Sequence, residues 1–163
     1  MSPRGAQDPD DVEAAVEKAV RVLNAASQTR SGLTRKLNRE GYSAAAVEAA
    51  CARMEALGYV NDRAFAQATV QKRQRQGRGV KVIASELHHK GIDSELIDEI
   101  LTEVDAGAEV DRATELAARL IRRHADEPSV RRREHVIGGL MRRGFTPGVA
   151  RKALERASAA AVN

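Results

Sequence analysis

The sequence predicts an all-α protein built from tandem three-helix repeats. Aromatic residues make up only 2% of the 163 residues, so a folded core must consist of Ala, Leu, Val and Ile. Such a core, combined with abundant Ala, Glu, Arg and Lys, is typical of helical proteins. The second observation is an internal repeat around three glycines, Gly41, Gly91 and Gly144.

Around each of these glycines the same residue types stand at the same distances. A leucine precedes the glycine by four positions, and these residues are Leu37, Leu87 and Leu140. An N-cap residue follows it by two positions, and these residues are Ser43, Asp93 and Thr146. Because a left-handed glycine ends a helix and the cap begins the next, each glycine predicts a joint between two helices.

The elements follow in order along the chain. Residues 1–10 carry prolines and a glycine without apolar periodicity and are interpreted as a flexible tail. A helical pattern precedes each joint, at residues 12–26, 62–75 and 109–124. We therefore predict three-helix repeats over residues 11–57, 58–104 and 105–160. Since units of this size cannot bury a core alone, we expect them to stack into an elongated, curved body.

Several classes of protein are excluded by composition. A single cysteine, Cys51, rules out an intramolecular disulfide, and it forms no recognised metal-ligand spacing with the four histidines. No nucleophile triad, P-loop or dinucleotide signature is present, so we expect no enzyme, catalytic residue, metal or cofactor. No apolar run approaches the roughly 20 residues of a membrane span. We expect a cytoplasmic monomer without a membrane partner.

The charge distribution favours an acidic partner. The 27 Lys and Arg residues exceed the 23 Asp and Glu residues, which gives a net charge of +4. Most clusters of cations are explained by solvated helix faces, but the segment from Arg63 to Ser85 carries six cations and no acid. Nucleic acid and an acidic protein surface are both compatible with this pattern.

The middle of the chain resembles the RecX regulatory protein family. The resemblance is carried by Leu57-Gly-Tyr-Val-Asn-Asp-Arg-Ala-Phe-Ala66, Arg73, Arg75, Gly77, Gly79, Glu86-Leu87 and Lys90-Gly91-Ile92. It implies tandem three-helix domains and a cytoplasmic modulator of the RecA recombinase. Such a protein binds the RecA filament on single-stranded DNA. It restrains filament growth, ATP hydrolysis, strand exchange and the coprotease activity of the SOS response, and thereby acts in DNA recombination and repair.

With this resemblance, the basic residues are interpreted as contacts to the RecA–DNA filament. The cations of the middle repeat form the main set: Arg63, Lys72, Arg73, Arg75, Arg78 and Lys81. A second set lies in the third repeat: Arg122, Arg123, Arg131, Arg132 and Arg133. Weak direct binding to DNA is a further expectation. The alternatives are a stand-alone basic helical-repeat module that binds nucleic acid, and a passive helical scaffold for another protein.

Overall fold

The computed structural model describes residues 6–161, and this part of the chain folds into nine α-helices without a strand. The predicted all-α class is confirmed. Within the same residues, no helix combines the length and the apolar character needed to cross a membrane. In chain order the helices are α1 Val12–Ala25, α2 Arg30–Arg39, α3 Ala44–Ala56, α4 Asp62–Arg75, α5 Val80–His89, α6 Ser94–Thr102, α7 Ala106–Arg123, α8 Ser129–Arg142 and α9 Pro147–Ala160.

The three glycine joints have the predicted backbone. The φ angles are +92°, +77° and +92° for Gly41, Gly91 and Gly144. Each following cap accepts a hydrogen bond from a first-turn amide, at 3.3, 2.9 and 3.3 Å for Ser43, Asp93 and Thr146. The repeat therefore has a physical origin, because the same residue types end and begin helices in the same way three times.

The first compact unit comprises residues 6–67 and 87–96 within the described range. Its core consists of small and aliphatic side chains from α1, α2 and α3, with Leu33 and Leu37 fully buried at its centre. Cys51 lies in this core as a buried free thiol. Burial raises the pKa of that thiol, while a contact between the thiol and the Thr34 hydroxyl at 3.4 Å acts in the opposite direction.

The second compact unit comprises residues 68–86 and 97–161 of the described range. In it, α7 packs against α8 and α9 around a core that includes Phe145 and Leu140. These units divide the middle three helices between them, since α4, α5 and α6 each have residues in both. The division of the chain into repeats at 11–57, 58–104 and 105–160 stays a prediction.

A close approach between two glycines shapes the second unit. The Gly79 amide donates to the Arg143 carbonyl at 2.9 Å, and the Lys81 amide donates to the Gly144 carbonyl at 3.0 Å. A β-carbon added at Gly79 would lie 2.4 Å from the backbone of Gly144, which no real structure tolerates. Glycine is required here because the two backbones touch, and this contact joins the start of α5 to the end of α8.

Candidate anion-binding groove

The second unit contains an open groove of about 630 Å³ between the end of α4, α7 and the end of α8. Glu115 is the one acidic side chain among the described residues that line it. The arginines around it are Arg75, Arg112, Arg119, Arg123 and Arg143. Five guanidinium groups and a single carboxylate give the groove an excess of positive charge, which favours the binding of anions.

Three of the arginines lie along one stripe of α7. Arg112, Arg119 and Arg123 are separated by seven and four residues, which is the spacing of one helix face. Leu116 and Leu120 lie on the same stripe and also line the groove. Their apolar side chains give the cations a surface of low polarity on one side, which strengthens their attraction for an anion.

The other two arginines come from the ends of α4 and α8. Arg75 is the last residue of α4, and Gly77 ends the helix with a φ of +69°. Arg143 is the C-cap residue of α8. The hydrogen bond from Gly79 to the Arg143 carbonyl brings these two helix ends together, so the glycine contact also builds the rim of the groove.

Arg112 has a buried hydrogen-bond donor without an acceptor. Its Nε atom is buried and has no hydrogen-bond partner among the described residues. A buried donor without a partner costs about 1–3 kcal/mol, so such groups in folded proteins call for a functional explanation. The Arg112 side chain also lines the groove, so the unpartnered donor belongs to one of its five cations.

The lining of the groove indicates the kind of anion that fits. None of the described residues that line it is aromatic, so there is no surface on which a nucleobase could stack. Arginine binds carboxylate and phosphate oxygens through paired N–H donors. The groove is therefore suited to phosphate groups of a nucleic-acid backbone or to carboxylates of an acidic protein surface.

Of the residues that the sequence singled out, Arg75 and Arg123 lie together in this groove. Arg112, Arg119 and Arg143 were missed as site residues. The signal for Arg112 was its helical spacing from Arg119 and Arg123, which becomes informative only once the extent of α7 is known.

Arg73 has a different environment. Its Nε and Nη2 atoms donate to the Glu86 carboxylate at 2.6 and 2.7 Å, and Nη1 donates to the Gln76 side chain at 2.7 Å. The hydrogen bonding to the Glu86 carboxylate and the negative charge of that group raise the pKa of the Arg73 guanidinium. Arg73 therefore fixes the end of α4 to α5, and its role as a filament contact stays a prediction.

The remaining predicted residues do not converge on the groove. Arg63 lies in the first turn of α4, in the first compact unit. Lys81 lines a separate cavity of about 330 Å³ together with Glu109. Arg132 and Arg133 line another cavity of about 420 Å³. The last four predicted residues belong to none of these cavities: Lys72, Arg78, Arg122 and Arg131.

The sequence matches models of known protein domains. A model described as the second three-helix domain of RecX matches residues 61–101, and the model of the third three-helix domain matches residues 108–154. The regulatory protein RecX of Mycobacterium avium (strain 104) is 36% identical over 152 residues, which are 91% of this chain and 87% of that protein. The regulatory protein RecX of Streptomyces coelicolor is 33% identical over 156 residues, or 94% and 82% of the two chains.

Solved structures agree with these matches. A crystal structure of a regulatory protein RecX superposes with a TM-score of 0.76 at 26% identity, covering 85% of this chain and 68% of that one. RecX from Lactobacillus salivarius has a TM-score of 0.87 at 20% identity, covering 91% and 97%, which shows a shared fold. The resemblance found in the sequence is confirmed, and the chain belongs to the RecX regulatory protein family.

Proposed function

We propose that this protein binds, as a monomer in the cytoplasm, to the filament that RecA forms on single-stranded DNA. It thereby inhibits filament growth, ATP hydrolysis, strand exchange and SOS coprotease activity. It has no catalytic activity of its own and uses no cofactor. The observation that carries this proposal is the arginine groove with the unpartnered Arg112 Nε, found in a member of the RecX family.

The groove supports this function through its chemistry. A RecA-coated single strand contains DNA phosphates and protein carboxylates within one assembly, and the five arginines can donate hydrogen bonds to either group. A ligand shifts a conformational equilibrium only by its difference in affinity for the two states. A groove that binds the inactive arrangement of the filament more tightly than the active one would therefore inhibit ATP hydrolysis and strand exchange.

Binding to three targets tests the proposal. We would measure the affinity of the full chain for free single-stranded DNA, for RecA alone and for the assembled filament, at physiological salt. Preference for the filament is the expected result. Equal affinity for free DNA, with a steep decrease as salt rises, would instead identify a stand-alone nucleic-acid-binding module. Binding to none of the three would identify a scaffold for another protein.

Charge reversal tests the assignment of the groove. Arg75→Glu combined with Arg119→Glu places two carboxylates in the groove, and both side chains are exposed, so the fold should persist. We expect inhibition of RecA ATP hydrolysis to be lost while the helical circular dichroism signal is retained. The matched control, Arg151→Glu with Lys152→Glu, changes the net charge equally at exposed positions of α9.

The control separates a local effect from the effect of net charge. If both double variants lose inhibition equally, overall charge rather than the groove accounts for binding. If neither loses it, the contact surface lies elsewhere on the protein, and the remaining predicted cations such as Arg63 and Lys81 become the next targets.

A further inference from the structure

Two histidines and a glutamate converge at the connection between α7 and α8. His124 is the C-cap residue of α7, Glu127 lies in the connection, and His135 lies in the second turn of α8. The His124 Nδ1 is 3.0 Å from one Glu127 carboxylate oxygen, and the His135 Nδ1 is 2.6 Å from the other. One potential ligand atom from each residue lies within 4.8 Å of the other two.

The connection between α7 and α8 is held in place by hydrogen bonds that do not involve the side chains of His124, Glu127 and His135. The Glu127 amide donates to the His124 carbonyl at 3.1 Å and closes the turn. Arg132 Nη1 donates to the Ala125 carbonyl at 3.0 Å and ties the turn to α8. The cluster is therefore positioned by the connection itself, as a preformed ligand set requires.

The ligand types match a particular class of metal ion. Two imidazoles and one carboxylate are a common donor set for Zn²⁺, and three protein ligands leave a coordination position open for water or another group. The side chains of His124, Glu127 and His135 are 25%, 28% and 45% exposed, so an ion can reach them without unfolding. The ring centroids of His124 and His135 are 4.8 Å apart and the ring planes are tilted by 45°, so the two imidazoles are direct neighbours.

The donor types narrow the choice of metal ion. Arg122 and Arg123 directly precede His124, and Arg131 and Arg132 lie in the first turn of α8, so their positive charge opposes binding of any divalent cation. Mg²⁺ and Ca²⁺ prefer sites built from oxygen ligands, of which this cluster has only the Glu127 carboxylate. Imidazole ligands instead favour Zn²⁺ and related transition metals, which gain from the donor set itself.

We propose that His124, Glu127 and His135 form a binding site for a divalent transition metal of the Zn²⁺ class. The sequence alone predicts no metal, because the spacing of these residues matches no recognised metal motif. Bound metal joins the end of α7 to α8 and stabilises the second compact unit, because it binds the folded chain and not the dispersed ligands of the unfolded chain. The inference of a metal site does not rest on the proposed RecA binding.

Metal titration of the full chain, freed of any affinity tag, tests the proposal. Isothermal calorimetry with Zn²⁺ should show one ion per chain, and thermal unfolding should shift to higher temperature as Zn²⁺ is added. Mg²⁺ at the same concentrations should produce neither effect. Absence of Zn²⁺ binding, or an equal response to Mg²⁺, would overturn the assignment.

Two variants and a control locate the ion. His135→Ala and Glu127→Gln should each weaken Zn²⁺ binding by at least about tenfold, which corresponds to about 1.4 kcal/mol. Glu127→Gln keeps the size of the side chain, so it tests the ligand even if His135→Ala perturbs α8. The control, His88→Ala with His89→Ala, removes two exposed histidines at the end of α5 and should leave binding unchanged. Loss of binding in this control, or its persistence in both cluster variants, would contradict the proposal.

Discussion

Thr29 Oγ1 donates a 2.7 Å hydrogen bond to the carbonyl oxygen of Lys90, which is 61 residues further along the chain. The same hydroxyl accepts a hydrogen bond from the Gly32 amide at 3.0 Å. Thr29 is the N-cap residue of α2 and is 2% exposed, and Lys90 directly follows α5. One hydroxyl thus satisfies a backbone donor at the start of one helix and a backbone acceptor at the end of another.

Replacing Thr29 by Val should lower the free energy of unfolding by about 1–3 kcal/mol, because it leaves both backbone groups without their partner. Urea unfolding followed by circular dichroism measures the change. Thr29→Ser is the matched control, since it keeps the hydroxyl and should retain most of the stability. Equal stabilities of the Val and Ser variants would show that the hydroxyl bonds contribute little.

Gly79→Ala should destabilise the protein by about 1–3 kcal/mol, because its β-carbon collides with backbone atoms that cannot move aside independently. Gly148→Ala is the matched control. Gly148 lies in α9, and a β-carbon there meets no atom within 4 Å. This control should be neutral or should gain up to about 1 kcal/mol from helix propensity. Similar unfolding midpoints for the two variants would contradict the close approach of Gly79 and Gly144.

Arg73→Glu should lower the urea midpoint, while Arg75→Glu should leave it nearly unchanged. The first change places a carboxylate beside Glu86 and removes a bidentate ion pair. The second changes an exposed side chain at the edge of the groove. Both variants carry the same change in net charge, so their unfolding curves can be compared directly. A larger loss of stability for Arg75→Glu would reverse the roles assigned to these residues.

The contribution of Cys51 to stability should decrease as the pH rises. The pKa of its thiol is raised in the folded chain by burial, whereas the unfolded chain ionises near pH 8.5. The stabilisation is therefore complete below the unfolded pKa and is lost as the pH rises through the folded pKa. Unfolding free energies between about pH 7.5 and 10 should fall more steeply for the natural chain than for Cys51→Ala. Parallel pH profiles would show that Cys51 ionises normally.

The helices and their joints were predictable from the sequence because they depend on local interactions. Each joint is specified by residues that are close in sequence: a glycine that adopts a positive φ and, two positions later, the N-cap residue Ser43, Asp93 or Thr146. The groove depends instead on contacts between distant segments. Arg112 and Arg143 become neighbours of Arg75 only through the packing of α7 and the approach of Gly79 to Gly144, which no local pattern encodes.

The ion pair of Arg73 is a second contact that the sequence pattern did not predict. The segment from Arg63 to Ser85 contains no acid, which suggested that its cations were available to a partner. Glu86 follows this segment immediately, and in the folded chain its carboxylate accepts a hydrogen bond from Arg73. A count of charges along the chain could not separate Arg73, which stabilises the fold, from Arg75, which lines the groove, because only Gln74 lies between them.

The contact between Gly79 and Arg143 also limits when the groove can form during translation. The Gly79 amide and the Arg143 carbonyl are separated by 64 residues, the difference between their positions. At synthesis rates of about 5–20 residues per second, several seconds pass between their emergence from the ribosome. The rim of the groove therefore forms only after Arg143 has emerged, and a shorter nascent chain has no assembled groove with which to bind an anion.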